Sequence, residues 1–422
     1  MRRAWGTALV VWVLGCAPAA GADGGADPPD PGQTTSGTVA SNGTAYPYLL
    51  YTPTTYVRGS AAPLVVMVHG CQTTAEQEME LTLFNRVAER EGFVVLYPEV
   101  NAVEQAQPGP IANCWQFFDP AAYFRGNGDP AAIAEMTKAV MGELTIDAER
   151  VYVIGVSAGG LMAAVDAAAY SEVYAAVGLV ASAGFADGTC FTSGVGSPVE
   201  ANAQLAFEQM GPRARPVPII AIGSDADLAF PATCTDKALE QGLRTNNLVL
   251  SGAQDGPIAL TPSAVEEKQV PDGLAYTVSR FSDPDGCLIG ERWIIHGMPH
   301  AWPGGTTDPE YEGYTDTRAP SGAEGTWEFL QRYRRSETGM PCAEAERCSA
   351  RSVRLRLARG PRVRRVAATV SGEPVRTRIR GRRVKLKLPS GPKGAVPVVL
   401  RVRRHGHTGA QVLRRSVERC RG

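Results

Sequence analysis

Seven short apolar runs between residues 46 and 297 alternate with segments whose apolar residues recur at helical spacing. The runs are YPYLLYTP, PLVVMVHG, GFVVLYPE, RVYVIG, YAAVGLVAS, VPIIAIGS and ERWIIHG. Helical spacing occurs in residues 75–90, 130–143, 160–170 and 325–335. Short apolar strands that alternate with helices predict a mostly parallel sheet with helices on both faces, so we expect an α/β fold for residues 38–340.

Beyond residue 348 the hydrophobic pattern changes to a period of two. Apolar residues alternate with basic or polar ones in RSVRLRLAR, RVRRVAATV, VRTRIRG, RRVKLKLPS, VPVVLRVRR and QVLRRSV, and Gly, Pro and Ser separate these segments. Alternation between turn residues is typical of half-buried strands. We therefore expect a small all-β, sandwich-like domain at residues 348–422.

The first 37 residues predict export and a tether. Arg2 and Arg3 precede a short apolar stretch, which is typical of a signal peptide, here residues 1–22. Cys16 ends a VLGC sequence that resembles a lipobox, so the chain is either freely secreted or lipid-anchored through Cys16. Residues 23–37 are rich in Gly, Pro, Asp and Thr, which predicts a flexible linker.

Cysteine usage agrees with an extracellular protein. Eight of the nine cysteines follow Cys16, and an even number in an exported chain favours disulfides over buried free thiols, the alternative. From their positions we expect Cys71 to pair with Cys114 and Cys348 with Cys420. The chain has no CxxC pair and no HExxH helix, so we expect no metal site.

Charge divides the 422 residues into two unequal parts. Residues 349–422 carry 22 of the 42 Lys and Arg residues but only 2 of the 43 Asp and Glu residues. Charge of one sign at this density attracts polyanions, so we expect the basic domain to bind an anionic polymer or surface; a merely solvated face is the alternative. Nucleic acid is not expected for an exported chain, and the domain has no aromatic residues for stacking.

The segment VYVIGVSAGGLMAA contains a serine between glycines where a strand pattern meets a helix pattern. A GxSxG sequence in this context predicts a strained turn that exposes the serine at a helix N-terminus. We therefore expect Ser157 to be a nucleophile rather than an ordinary turn residue.

A serine nucleophile needs a histidine base that a carboxylate orients. Of the five histidines, His296 and His300 follow the serine outside the basic domain, and His300 lies in a turn-rich loop beyond a strand, where a base is expected. Asp225 and Asp227 follow the apolar run that ends at residue 222, and either can supply the acid. Asp283 and Asp285 in FSDPDGC are the next carboxylates to consider.

Two further groups of residues complete the expected site. The backbone N–H groups of Cys71, which follows the MVHG strand, and Ala158 are the expected oxyanion hole. Trp115, Phe117, Phe118 and Trp302 lie near the motifs, and each can either line an apolar substrate cleft or pack loops together. We expect lining from Trp115 and Trp302 and favour packing for Phe117 and Phe118. The polar stretches at 101–129 and 187–215 are expected to form cap or binding loops.

Four ordered motifs resemble the poly(3-hydroxybutyrate) depolymerase family of esterases, which is related to feruloyl and acetylxylan esterases. The motifs are PLVVMVHGCQ, LYPEV followed by NCWQFF, IDAERVYVIGVSAGG and GMPHAWPGG. The resemblance implies an α/β hydrolase in which Ser157 is the nucleophile, His300 the base and Asp227 the acid. Pro299 stands where the family often has glycine, and Ile222-Gly223 where it often has His-Gly.

These observations predict a secreted serine esterase that needs no cofactor. Its expected substrate is poly(3-hydroxybutyrate) or a related polyester or oligomer, and feruloyl or acetylxylan esters are the alternative. A second hypothesis is a non-catalytic surface-binding protein on a hydrolase scaffold. The presence of Ser157, His300 and Asp227 together opposes that hypothesis, and an assay with a nitrophenyl ester separates the two.

Overall fold

The computed structural model describes residues 30–284 and 286–335 of the larger unit. Of the basic part it describes residues 352–356, 362–370, 373–380, 383–388, 394–405 and 410–419. The predicted domain boundary at 340–348 and the predicted pair of Cys348 and Cys420 lie outside the described residues.

A ten-stranded sheet forms the centre of the larger unit. Its strands are β1 (Gln33–Ser41), β2 (Thr44–Thr52), β3 (Ala62–Val68), β4 (Val94–Pro98), β5 (Ile146–Val156), β6 (Ala176–Val180), β7 (Ile219–Ser224), β8 (Ala264–Gln269), β9 (Ala275–Ser282) and β10 (Leu288–Ile295). They are ordered β1-β2-β4-β3-β5-β6-β7-β10-β9-β8. The central strands β4, β3, β5, β6, β7 and β10 run parallel. Antiparallel pairs close both edges.

Helices cover both faces of this sheet. They are α1 (Ala75–Thr82), α2 (Phe84–Glu91), α3 (Ala102–Gln105), α4 (Gly128–Glu143), α5 (Ala158–Ala169), α6 (Val199–Met210), α7 (Ala232–Ser251) and α8 (Gly322–Leu330). Along β3, Leu64 and Val66 join a core cluster with residues of α4 to α7, while Val65 and Met67 join a second cluster with residues of α1, α2 and α8. The predicted α/β class is therefore confirmed.

The structure contains several strands and helices that the sequence pattern did not predict. The predicted linker 23–37 was too long at its carboxyl end, because β1 begins at Gln33 and pairs with β2 through backbone hydrogen bonds. This edge strand is largely exposed, so it needs few apolar residues. Strand β8, which is also almost wholly exposed, was not predicted, and neither were β9 and α6. The helix predicted at 75–90 divides at Leu83, whose φ is 56°.

The chain between β10 and α8 forms a small parallel pair of strands, β11 (Trp302–Pro303) and β12 (Thr315–Asp316). The N–H of Trp302 donates to the carbonyl of Tyr314 at 2.8 Å, and the N–H of Thr306 donates to the carbonyl of Leu81 at 3.0 Å. These bonds hold the segment against the end of α1.

The basic part forms two antiparallel sheets. Its strands are β13 (Ser352–Arg356), β14 (Val363–Val370), β15 (Glu373–Val375), β16 (Thr377–Arg380), β17 (Arg383–Lys387), β18 (Gly394–Arg404) and β19 (Ala410–Arg419). They are ordered β13-β17-β16 and β15-β14-β18-β19. Buried side chains of both sheets, such as Val366, Val384 and Leu400, form one apolar cluster. The predicted all-β, two-layer character is confirmed for the described strands.

Candidate active site

Ser157 lies in the sharp turn between β5 and α5. Its φ is 55° and its ψ is −123°, a conformation that L-residues rarely adopt. Glycine is required on both sides of the turn: a Cβ atom on Gly155 would lie 2.1 Å from the carbonyl oxygen of Gly159, and one on Gly159 would lie 2.3 Å from that of His69. The close approach of these backbones therefore explains the GxSxG spacing and presents the serine at the start of a helix.

His300 and Asp227 join Ser157 in a chain of hydrogen bonds. His300 Nε2 lies 3.1 Å from Ser157 Oγ, and His300 Nδ1 lies 2.8 Å from Asp227 Oδ2. The backbone N–H groups of Ala229 and Phe230 each donate to Asp227 Oδ1 at 2.8 Å. Asp227 therefore has a fixed orientation, and α7, which begins at Ala232, has no side-chain cap.

Two backbone N–H groups converge beside Ser157. Ala158 is the first residue of α5, and its N–H is at the positive end of the helix dipole. Gly70 packs against the serine, since a Cβ atom on it would lie 3.3 Å from Ser157 Cβ, and Cys71 follows directly. Within the described chain no hydrogen bond from the N–H of Cys71 or Ala158 is found. Both groups are free to donate to an oxyanion.

A disulfide and a buried contact between His69 and Glu99 hold the loop that contains Cys71. The structure joins Cys71 to Cys114, the pairing that was expected from position. His69 is fully buried at the start of the loop, with its Nε2 3.2 Å from Glu99 Oε1. Burial alone would raise the pKa of Glu99, but the hydrogen bond and charge of His69 outweigh it and lower that pKa below its usual value. Glu99 is therefore ionised at neutral pH.

Glu99 connects three segments around this loop. Its carboxylate accepts the N–H of Ala75 at 2.8 Å, the N–H of Val100 at 2.9 Å and the side-chain amide of Asn113 at 3.3 Å. The same Asn113 amide donates to the carbonyl of Thr73 at 2.7 Å. The backbone around Cys71 is thus fixed before any ligand binds, as transition-state stabilisation requires.

A cavity of about 410 Å³ opens over Ser157 and His300. Phe117, Phe191 and Phe230 form one side of it, with ring centroids 6.0 Å apart for the first two and 5.4 Å apart for the last two. The other side contains the residues Gln72, Thr73, Glu78, Leu81, Trp302, Gly313 and Tyr314. The cavity is mainly apolar and has the size of a small-molecule site.

The predictions for the aromatic residues were partly wrong. Trp302 lines the cavity as expected, but Trp115 does not. Trp115 is fully buried, and its Nε1–H donates to the carbonyl of His69 at 3.0 Å. Its indole therefore supports the loop that contains Cys71. Phe117, for which packing was favoured over lining, lines the cavity, while Phe118 is half exposed and packs edge-on against the ring of Phe117.

Several lining residues were not found from the sequence. Phe191, Phe230 and Glu78 are distant from one another along the chain, and only the fold brings them to one cavity. Phe230 had a usable signal, because it lies three residues after Asp227 in a loop beyond a strand, where substrate-binding residues of α/β folds are common.

His296 and Asp225 form a separate pair beside this site. His296 Nδ1 lies 2.8 Å from Asp225 Oδ2, and the N–H of Gly297 donates to Asp225 Oδ1 at 2.8 Å. His296 Nε2 lies 3.0 Å from the hydroxyl of Thr277. Neither member lines the cavity over Ser157.

Two further aspartates, Asp283 and Asp285, were candidates for the acid. Asp283 Oδ1 accepts the N–H of Cys287 at 2.8 Å in a hairpin, and Asp285 lies outside the described residues.

Among the residues that the structure describes, no group of three or more His, Cys, Asp or Glu side chains is placed to hold a metal ion. In the same residues, no helix has the length and apolar character of a membrane span.

Comparison with solved structures supports the class of fold. The chain is similar to an acetyl xylan esterase from Aspergillus awamori with a TM-score of 0.50 and 19% sequence identity; the match covers 66% of this chain and 98% of that structure. At this identity the likeness concerns the fold alone, and that fold is the α/β-hydrolase fold.

Residues 46–249 match the family model for Esterase PHB depolymerase, which confirms the resemblance that was predicted and includes the first three of the four motifs. The chain is 36% identical over 133 residues to poly(3-hydroxyalkanoate) depolymerase C of Paucimonas lemoignei. It is 37% identical over 114 residues to feruloyl esterase B of Neurospora crassa, and 33% identical over 168 residues to acetylxylan esterase A of Emericella nidulans.

These alignments cover only part of each protein. They include 31%, 27% and 39% of this chain, and 30%, 36% and 51% of the depolymerase, the feruloyl esterase and the acetylxylan esterase. The chain thus spans about a third to a half of the length of these relatives. Their printed names all describe hydrolysis of carboxylic esters, although the esters differ.

Proposed function

We propose that this protein is a serine carboxylic ester hydrolase that acts through an acyl-enzyme. The observation that carries the proposal is the continuous chain from Ser157 through His300 to Asp227 at the floor of an apolar cavity. The family of residues 46–249 supports the same reaction. A non-catalytic role for the scaffold would not require these three side chains to be hydrogen-bonded in this order.

In the proposed mechanism, His300 takes the proton of Ser157 as its oxygen attacks the ester carbonyl. The N–H groups of Cys71 and Ala158 donate to the oxyanion that develops, and Asp227 holds the imidazolium in place. The alcohol leaves with the proton from His300. Water, activated by the same histidine, then attacks the acyl-enzyme and releases the acid. The mechanism requires no cofactor.

The expected test is the Ser157→Ala variant in an assay with 4-nitrophenyl butyrate. Because the serine oxygen forms the new bond, kcat/KM should fall by about 10⁴-fold or more while the thermal unfolding temperature changes little. Ser60→Ala, an exposed serine of another loop, is the matched control and should keep wild-type activity. Turnover by Ser157→Ala above a tenth of the wild-type rate would exclude the mechanism.

For the substrate, poly(3-hydroxybutyrate) or a related polyester or oligomer is our first choice. The largely apolar cavity with its phenylalanine side suits an aliphatic acyl chain, and the named depolymerase is one of the relatives. Feruloyl or acetylxylan esters are the alternative, which the other two relatives support. Release of 3-hydroxybutyrate oligomers, ferulate and acetate, measured side by side, distinguishes them.

Export of the protein is part of the proposal. The disulfides Cys71–Cys114 and Cys190–Cys234 support it, since such bonds persist in oxidising compartments. The predicted signal peptide at residues 1–22 and the lipidation of Cys16 lie outside the described residues and stay predictions. Mass analysis of the mature N-terminus separates free secretion from a lipid anchor.

The basic domain is proposed to attach the enzyme to an anionic polymer. Arg365 lies opposite Arg403 between β14 and β18, and Arg401 is exposed on the same face. Directly opposed like charges destabilise a sheet, so a polyanion that neutralises them gains a favourable interaction. On the other sheet, Arg378 lies opposite Lys385, and both are exposed.

The attachment is tested in the full chain with Arg365, Arg401 and Arg403 all changed to Gln. Retention on an anionic matrix such as carboxymethyl cellulose should fall several-fold, and wild-type retention should weaken steeply between 50 and about 300 mM salt as charges are screened. Turnover of 4-nitrophenyl butyrate should be unchanged. Retention that does not depend on salt, or on these arginines, would contradict an electrostatic attachment.

A further inference from the structure

One carboxylic acid in the cavity has no role in the proposed triad. Glu78 lies in α1, is only 1% exposed and contributes to the cavity wall. Neither of its carboxyl oxygens has a hydrogen-bond partner in the part of the chain that the structure describes. It is also the one carboxylic acid among the described residues that line the cavity.

An unpaired acid at this depth is unfavourable for the fold. A buried polar group that lacks a hydrogen bond destabilises a protein, and an apolar side chain of similar size would not. Burial raises the pKa of Glu78 to about 8, so at pH 7 its carboxyl group is mainly protonated and can donate a hydrogen bond. Groups whose protonation is shifted by burial in a cleft are concentrated at functional sites.

The position of Glu78 limits where a partner can come from. Leu81, one turn further along α1, accepts the N–H of Thr306, so the chain after β11 packs against this helix. In the described conformation both carboxyl oxygens have almost no accessible surface. Because Glu78 lines the cavity, its carboxyl group can meet a ligand there only when its side-chain torsions change.

We propose that Glu78 is a specificity-determining residue that donates a hydrogen bond to an oxygen atom on the acyl chain of the substrate. Rotation about the side-chain torsions of Glu78 brings its carboxyl group to this oxygen. The cavity then selects acyl chains that are apolar except for one hydroxyl or ester oxygen, as in a hydroxyacyl ester. This inference rests on the proposed ester hydrolase function and specifies the substrate class for the same site.

The test compares two matched esters, 4-nitrophenyl 3-hydroxybutyrate and 4-nitrophenyl butyrate. The measured quantity is the ratio of their kcat/KM values, each divided by the rate of uncatalysed hydrolysis at pH 7. The variants are Glu78→Gln, which keeps a neutral hydrogen-bond donor, and Glu78→Leu and Glu78→Met, which remove it. Glu76→Leu, at an exposed position of the same helix, is the matched control.

The wild-type ratio should favour the hydroxy ester. It should fall about tenfold in Glu78→Leu and Glu78→Met, as expected for one lost hydrogen bond, and stay within about threefold in Glu78→Gln and the control. An unchanged ratio in the apolar variants, or an equal fall in Glu78→Gln, would overturn the proposal. If the apolar variants do not fold, a wild-type ratio near one overturns it by itself.

Failure of the underlying function has a different signature. Hydrolysis of both esters by the wild type at the rate of Ser157→Ala would overturn the proposed function, and the role of Glu78 with it. Efficient hydrolysis of both esters with no dependence on Glu78 would overturn the Glu78 proposal alone.

Discussion

Two His–Asp pairs lie at the carboxyl ends of the same two strands. Asp225 and Asp227 follow β7, while His296 and His300 follow β10, which is its parallel neighbour. In both pairs the Nδ1 atom of the histidine lies 2.8 Å from Oδ2 of the aspartate. The length of the hydrogen bond is therefore no guide to which pair performs chemistry.

The surroundings of the two pairs differ. The side chain of Asp227 is 0% exposed and that of Asp225 is 49% exposed. His300 presents its second nitrogen to Ser157 under the cavity, whereas His296 presents its own to Thr277 of β9. Contact with Ser157 and the cavity above it thus distinguish the Asp227–His300 pair from the Asp225–His296 pair.

The exposed Asp225–His296 pair also contacts the loop that follows β10. Asp225 also accepts the N–H of Gly297, and Ser224 donates to the carbonyl of Met298 at 2.5 Å. Both bonds tie the end of β7 to the loop that leads to His300. We interpret the Asp225–His296 pair as an anchor for that loop.

Replacing each histidine gives the largest expected difference between the pairs. His300→Ala should lower kcat/KM for 4-nitrophenyl butyrate by about 10⁴-fold or more, because triad members act as a unit. His296→Ala should lower it less than about tenfold, because the loop keeps its backbone bonds. The measurement is steady-state kinetics of both purified variants, and the reverse ranking would exchange the two roles.

Replacing each aspartate should give a smaller but still clear contrast. Asp227→Asn should reduce kcat by about 10³- to 10⁴-fold, because an amide does not hold the correct tautomer or stabilise the imidazolium. Asp225→Asn, which keeps an acceptor for Gly297, should cost less than about fivefold. Mild and equal losses in both would place the acid elsewhere, and Asp283 would be examined next.

The smallest effect concerns stability against pH. Burial alone would raise the pKa of Asp225. The hydrogen bonds from His296 and Gly297 and the charge of His296 outweigh this effect and lower that pKa below its usual value. A depressed carboxyl pKa stabilises the fold above the unfolded-state value near 4, and this contribution is lost as the pH falls through the folded-state value. Because the pair is exposed, the contribution should be below about 1 kcal/mol.

Urea unfolding of the wild type and Asp225→Asn tests this effect. The difference in their free energies of unfolding should be present at pH 6 and should decrease as the pH falls below about 4. A difference that grows on acidification would show that the carboxylate of Asp225 is not favoured by its partners in the folded state.

Much of the fold was predictable because each buried strand and its neighbouring helices have a local pattern. Strands β2 to β7 and β10, the serine turn and the tail strands all followed from apolar periodicity and glycine placement. The edge strands β1 and β8 were not predicted, since backbone pairing holds them and their exposed side chains carry no periodic signal. Strand β9, which lies between β10 and β8 and is partly buried, was not predicted either.

The candidate site divides in the same way between local and long-range information. The sequence alone determined Ser157 and the two candidate histidines and aspartates, because each lies in a short motif at the end of a strand. Only the tertiary structure decided that His300 and Asp227 reach Ser157, that Trp115 supports a loop while Phe117 lines the cavity, and that Glu78 is unpaired. The physical reason is that the burial of a side chain and its hydrogen-bond partners depend on segments that are far apart in the chain. No local sequence pattern encodes how these segments pack.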